Sequence, residues 1–246
     1  MPSPALARLE SLLGAHKLDH TLTSRLPPVH EEGPPGLPRG QISEIVGSRS
    51  SGRQTVLVSG LAAATGRGEL VALVDPLDMF DPVSAAAHGV ELSRMLWVRG
   101  CAVGPDRVSL PREAGEAGVQ VERAVKALNL ILQASGFGLV ALDLGEIPLP
   151  VLGRVPFTTW RRLHRVIEGG ETACVVVAAV PVARSVGGIT VALTSSAMPR
   201  DVGLPAPSLL PPLTIDGRII HARGLRTDRM AGLEGLRFGG QLKAES

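Results

Sequence analysis

Glu44-Ile45-Val46-Gly47-Ser48-Arg49-Ser50-Ser51-Gly52-Arg53-Gln54-Thr55 decides how the chain is read. An apolar run with β character ends at Gly47, and a second glycine, Gly52, opens a helical pattern four residues later. This is the frame of a phosphate-binding loop, Gly-x-x-x-x-Gly-Lys-Ser/Thr. In such a loop, backbone N–H groups cradle phosphates, a lysine neutralises them, and a hydroxyl holds Mg²⁺. Here the frame is kept and the chemistry is altered. Arg53 stands in the lysine position and Gln54 in the hydroxyl position.

The flanking sequence builds an α/β pattern around that loop. Upstream, residues 26–40 are rich in proline and glycine and read as a connector. Before them, Leu6, Leu9, Leu12 and Leu13 fall at helical spacing, with Gly14 suited to a C-cap. Downstream, Val56, Leu57, Leu61 and Ala64 give residues 52–66 a buried helical face that Gly66 and Gly68 end. The runs at 70–75 and 138–143 are continuously apolar and close on Asp75 and Asp143, as expected of strands buried on both faces of a parallel sheet. Asp81-Pro82 opens a short helix, and Leu96-Trp97-Val98 reads as a short strand. Val121, Ala124, Val125, Leu128, Ile131 and Leu132 place an amphipathic helix over 117–135. Residues 156–168 read as a further helix and 173–180 as a further strand.

Strand and helix alternate, which implies an open, mostly parallel sheet with helices on both faces. In such sheets ligands sit beyond the carboxyl ends of the strands, where the loop, Asp75 and Asp143 all fall. After residue 181 the pattern weakens. Asp216-Gly217 between apolar runs predicts a hairpin with a tight turn. The division expected is an N-terminal helix and connector over 1–39, a core over 40–222, and a flexible basic tail over 223–246.

Composition narrows the function classes. Apolar residues make up 44% of the chain and aromatics only 2%, with no tyrosine, so the core must be aliphatic. A net charge of +2 gives no electrostatic case for nucleic acid as a partner of the whole surface. Cys101 and Cys174 show no metal-ligand spacing and read as free thiols in a reducing compartment. There is no apolar run of the ~18 residues a membrane span needs, and the expected location is the cytoplasm. His88 and His164 sit in no ligand cluster. Arg161, Arg162 and Arg165 are read as a solvated helix face, with a DNA or partner contact as the alternative.

Together these segments resemble the core of the RecA recombinases over roughly residues 40–190. Gly47 to Thr55 is similar to the RecA loop, which ends Ser-Ser-Gly-Lys-Thr-Thr. Asp75-Pro76-Leu77-Asp78-Met79-Phe80-Asp81-Pro82, followed by Gly89-Val90, resembles that family's acidic strand-end segment. Leu139 to Asp143 resembles its Walker B strand.

The resemblance implies a nucleotide site built from Gly47, Ser48, Ser50, Ser51, Gly52, Arg53, Gln54 and Thr55, with ATP as its ligand and Asp143 as the holder of Mg²⁺. It also places Leu77 where the family has its catalytic glutamate, and a leucine cannot orient a water. No catalytic residue is therefore assigned. For the loop, a structural remnant, a nucleotide site without useful turnover and an active ATPase all stay open. For Asp143 a plain strand-end cap is the alternative. Gly187-Gly188 falls where RecA carries a DNA-binding loop, with a plain flexible loop as the alternative.

The combination resembles the ImuA group, RecA-related accessory proteins of SOS mutagenesis. That resemblance implies an adaptor role in translesion synthesis, with an ImuB-like polymerase-related protein, RecA and an error-prone replicative-type polymerase as partners. An ATP-dependent DNA-binding recombinase relative and a SulA-like protein-binding regulator are the alternatives.

Overall fold

The computed structural model describes residues 37–100, 114–183, 186–197, 213–222 and 236–238. The expected helix at 4–14, most of the connector, Cys101, and the larger part of the tail lie outside these residues.

Along the chain the elements are β1 (Ile42–Gly47), α1 (Arg53–Gly66), β2 (Leu70–Asp75), α2 (Pro82–Ala87), β3 (Met95–Arg99), α3 (Ala114–Ala134), β4 (Phe137–Asp143), α4 (Leu149–Leu152), α5 (Phe157–Ile167), β5 (Ala173–Ala178), β6 (Ile189–Ala197), β7 (Leu213–Ala222) and β8 (Leu236–Phe238). They form one eight-stranded sheet in the order β3-β2-β4-β5-β1-β6-β7-β8. The pairs from β3 through β6 are all parallel, and β7 and β8 are added antiparallel. The fold is thus an α/β sheet, mostly parallel, flanked by helices. Among the described residues no helix is long and apolar enough to cross a membrane.

The pleat explains the continuous apolar runs. Along β2, β4 and β5, alternate residues point to opposite faces. Ala72, Val74, Val140, Leu142, Cys174 and Val176 meet α3 and α5 through Val121, Leu128, Trp160 and Leu163. Val71, Leu73, Leu139, Ala141, Val175 and Val177 meet α1 through Val56, Leu57 and Leu61. Each large side chain fully buried this way contributes about 1.5–3 kcal/mol. Cys174 lies in this core as a free thiol, and burial pushes it up to about 12, so it stays protonated and inert.

The carboxyl-terminal part of the sheet differs from the sequence expectation. Asp216-Gly217 does not form a hairpin turn. Both residues lie mid-strand in β7, facing Thr194 and Leu193 of β6 on one side and Arg237 and Leu236 of β8 on the other. A type I′ turn is a local preference, and two flanking strands offer ladder pairing that it cannot match. Three residues of the expected flexible tail, Leu236–Phe238, form the edge strand β8. Beyond residue 181, where the sequence pattern weakens, most of the described residues up to 200 lie in β6.

The return from β5 to β6 is fastened to β1. The buried Glu44 carboxylate accepts from the N–H groups of Val182 (2.6 Å) and Ala183 (2.8 Å). Gln41 accepts from Gly188 N–H at 2.7 Å. Gly188 has φ +67 and lies against Ile42 O and Ser43 Oγ, so a side chain would clash there. At this residue the segment is pinned, unlike a free loop.

Candidate functional site

The phosphate-type loop connects the carboxyl end of β1 to α1. Gly47 permits the close approach: a Cβ there would lie 2.4 Å from Ser51 Oγ and 2.6 Å from Leu193 O. The chain then turns back, with Ser51 N–H donating to Ser48 O at 3.2 Å. Ser50 and Gly52 take left-handed φ values of 62 and 92, conformations that cost a non-glycine residue energy and cluster at functional sites. Gly52 is the N-cap of α1 and supplies no side-chain hydrogen bond to it. The first-turn N–H groups of α1, from Arg53, Gln54 and Thr55, have no intrahelical acceptor and carry the positive end of the helix dipole. Ser51 Oγ is buried beside this turn without a hydrogen-bond partner. The shape of an anion cradle is retained.

The two altered side chains turn away from that cradle toward the end of β4. Arg53 is only 6% exposed. Its guanidinium donates to Gly145 O at 2.9 Å and pairs with Glu146 Oε1 at 3.1 Å. Exposed Arg49, from the loop itself, donates to Glu146 Oε2 at 2.9 Å through Nε. One carboxylate therefore serves two arginines. Gln54 donates its amide to Asp143 Oδ2, and Asp143 Oδ1 accepts from Gly145 N–H at 2.9 Å. Burial pushes the Asp143 carboxyl above its ordinary range, against the opposing hydrogen bonds from Gly145 and Gln54. Ser48 and Thr55 are exposed and enter neither network.

These groups do not fit a divalent cation. Mg²⁺ requires near-octahedral oxygen ligands. Asp143 is hydrogen-bonded to two donors, an amide and a backbone N–H, with the Asp75 carboxylate and the Arg53 guanidinium nearby. Among the described residues no group of three or more His, Cys, Asp or Glu could hold a metal. The Gln54–Asp143 hydrogen bond joins the two positions that a hydroxyl-and-carboxylate metal site would use.

The neighbouring acidic segment is also internally satisfied. Asp75 accepts from Met79 N–H at 3.1 Å and Phe80 N–H at 2.9 Å, closing the turn after β2. Asp78 pairs with Arg99 at 2.7 Å, and that guanidinium lies 4.4 Å over the Trp97 ring. Leu77, between them, packs against the apolar face under α3. It presents no group that could activate water. His88 is exposed and contacts Ser84 O within its own helix turn. Arg161, His164 and Arg165 line a shallow cleft of about 530 Å³ with Gln41, at the opposite edge of the sheet.

Comparison with known proteins agrees with this fold. Residues 20–107 match the RecA N-terminal domain. Part of the chain is similar to RecA proteins. It is 30% identical to RecA of Chlorobaculum tepidum over 146 residues, 56% of this chain and 39% of that protein. It is 30% identical to RecA of Ruminococcus albus over 148 residues, 57% of this chain and 34% of that one. A shorter stretch of 61 residues is 46% identical to RecA of Symbiobacterium thermophilum, 25% of this chain and 17% of that protein. The chain thus spans about two fifths, 39%, of the length of the first of these relatives.

Within this RecA-like core, sequence reading found the loop and Asp143, and the structure brings them together. It missed Glu146. The available signal was an acid three residues beyond the strand-end aspartate, in Asp143-Leu144-Gly145-Glu146.

Proposed function

We propose that this chain is a RecA-like accessory protein whose loop has ceased to hydrolyse nucleotide, acting as an adaptor in DNA-damage-induced (SOS) translesion synthesis and mutagenesis. The observation that carries the first half is the rerouting of Arg53 to Glu146 and of Gln54 to Asp143. A hydrolytic loop must present a cation to the transferred phosphate, a metal to its oxygens and a base to the water. Here the cation is paired internally, the metal position is closed by an amide, and the third position is Leu77. ATP binding without turnover fits the uncapped first turn of α1, and the proposal gives Mg²⁺ no part in it.

The second half rests on the resemblance to the ImuA group and on the retention of a packed RecA-like core after the catalytic groups are gone. A core kept without its chemistry serves as a surface. The partners proposed are an ImuB-like polymerase-related protein, RecA and an error-prone replicative-type polymerase, with DNA reached through them, in the cytoplasm. Residues 40–222 would form the docking core, with 1–39 and 223–246 as its arms. The test is capture of the purified ImuB-like protein and RecA by the full chain. Association with either supports the adaptor, and association with neither contradicts it.

A further inference from the structure

Glu146 stands outside the family's loop pattern, yet it is the group that fixes both loop arginines. Its two oxygens are divided between them, Oε1 to buried Arg53 and Oε2 to exposed Arg49. It does so beside the uncapped N-terminus of a 14-residue helix. Ser51 Oγ, with Ser51 only 1% exposed, lies at the same turn with no partner. A buried hydroxyl and a row of free N–H groups are donors that an anion satisfies. Two guanidiniums held by one partly exposed carboxylate are cations that a second anion can compete for. The carboxylate at the end of β4, Asp143, is hydrogen-bonded to the Gln54 amide and Gly145 N–H.

We infer that Glu146 is a built-in competitor at the loop, and that the loop takes a phosphate-bearing anion by metal-free exchange: the incoming phosphate displaces the Glu146 carboxylate from Arg49 and Arg53. The ligand class is a nucleoside polyphosphate or a bare pyrophosphate without bound Mg²⁺. A loop that depends on Mg²⁺ and one that excludes it are opposite in sign toward a chelator. The inference rests on the non-hydrolysing reading given above and specifies how that loop would be occupied.

Calorimetric titration of the full chain with ATP, and separately with sodium pyrophosphate, tests it in EDTA and in excess Mg²⁺. Kd in EDTA should equal or fall below that in Mg²⁺. Glu146→Gln keeps the shape of the side chain and removes the charge, and it should tighten both ligands in EDTA by about fivefold, the scale of one partly exposed ion pair. Binding that disappears in EDTA overturns the exchange, as does a folded Glu146→Gln protein with unchanged affinity, or no heat with either ligand in either protein. The EDTA comparison needs no variant, so it decides even where Glu146→Gln does not fold. Metal-dependent binding without phosphate release defeats the exchange and leaves the adaptor standing. Phosphate release defeats the non-hydrolysing reading and the exchange with it.

Discussion

The two edges of the sheet each bury an arginine against a glutamate, and they use it differently. At the amino edge Arg39 is 7% exposed, and at the carboxyl edge Arg53 is 6% exposed. Arg39 donates to Glu69 and to Glu171 O, both at 2.8 Å, and reaches Gly138 O at 3.5 Å. Its acceptors come from chain entering β2, β5 and β4, so it ties four strand starts together, its own β1 included. Two of these acceptors are backbone carbonyls, and the third, the Glu69 carboxylate, is shared with surface Arg67. Arg53 has one backbone carbonyl and one carboxylate shared with a surface arginine, next to a free helix N-terminus. Both carboxylates are partly exposed and shared with a second arginine, so what sets Arg53 apart is its single backbone acceptor and its place at a helix N-terminus.

The largest effect expected is on Arg39. Arg39→Ala removes one partner of a buried pair and frees two carbonyls, and should cost about 3–5 kcal/mol in urea denaturation. Arg53→Ala should cost less, about 1–3 kcal/mol, because it frees one backbone carbonyl where Arg39→Ala frees two. On the adaptor role proposed above, Arg53→Ala should retain most of the unaltered protein's function in a damage-induced mutagenesis assay. Loss of function there would return the loop to a working role, and a larger stability cost at Arg53 than at Arg39 would invert the comparison of the edges.

Acid separates the edges further. Burial pushes the Glu69 carboxyl up, but hydrogen bonds and charge from Arg39 and Arg67 outweigh it and hold it below the ordinary value of 4.5. Its folded form thus binds a proton less readily than its unfolded form. The stability it contributes is present above that ordinary value and is lost as pH falls through the lower folded one. The Asp143 carboxyl is shifted the other way, above 3.8, chiefly by burial. Its folded form holds the proton more tightly, so stability falls as pH rises from 3.8 through the raised folded value.

Asp143→Asn removes that penalty while keeping an acceptor for Gly145 N–H, and Gln54 can reverse its amide to pair with the new one. It should leave thermal stability at neutral pH unchanged or raised by up to about 1 kcal/mol. Loss of more than that would show that the carboxylate charge is needed there. Glu69→Gln should instead weaken the protein at neutral pH and flatten its loss of stability in acid.

Much of this was legible in the sequence where one face or both faces of an element are buried. Leu70–Asp75 and Phe137–Asp143 announce central strands because both faces are apolar. The loop is announced by two glycines, Gly47 with contacts too close for a side chain and Gly52 with close contacts and a left-handed φ. Legibility failed where pairing outcompetes local preference, as at Asp216-Gly217, which turn statistics assign to a hairpin and two neighbouring strands hold extended. It failed again where chemistry depends on chain brought together from afar. Glu146 is 93 residues from Arg53, and neither residue's local sequence announces the other. Gln54 is read as a lost hydroxyl until Asp143 is seen opposite it.

The most direct measurement is phosphate release from ATP by the full chain in Mg²⁺, with and without single-stranded DNA. A loop whose cation is held by Glu146, whose metal position is closed by Gln54 and Asp143, and which has Leu77 at the position of the base should release no more phosphate than buffer. DNA-stimulated release that Arg53→Ala abolishes would contradict this and make the loop a working ATPase.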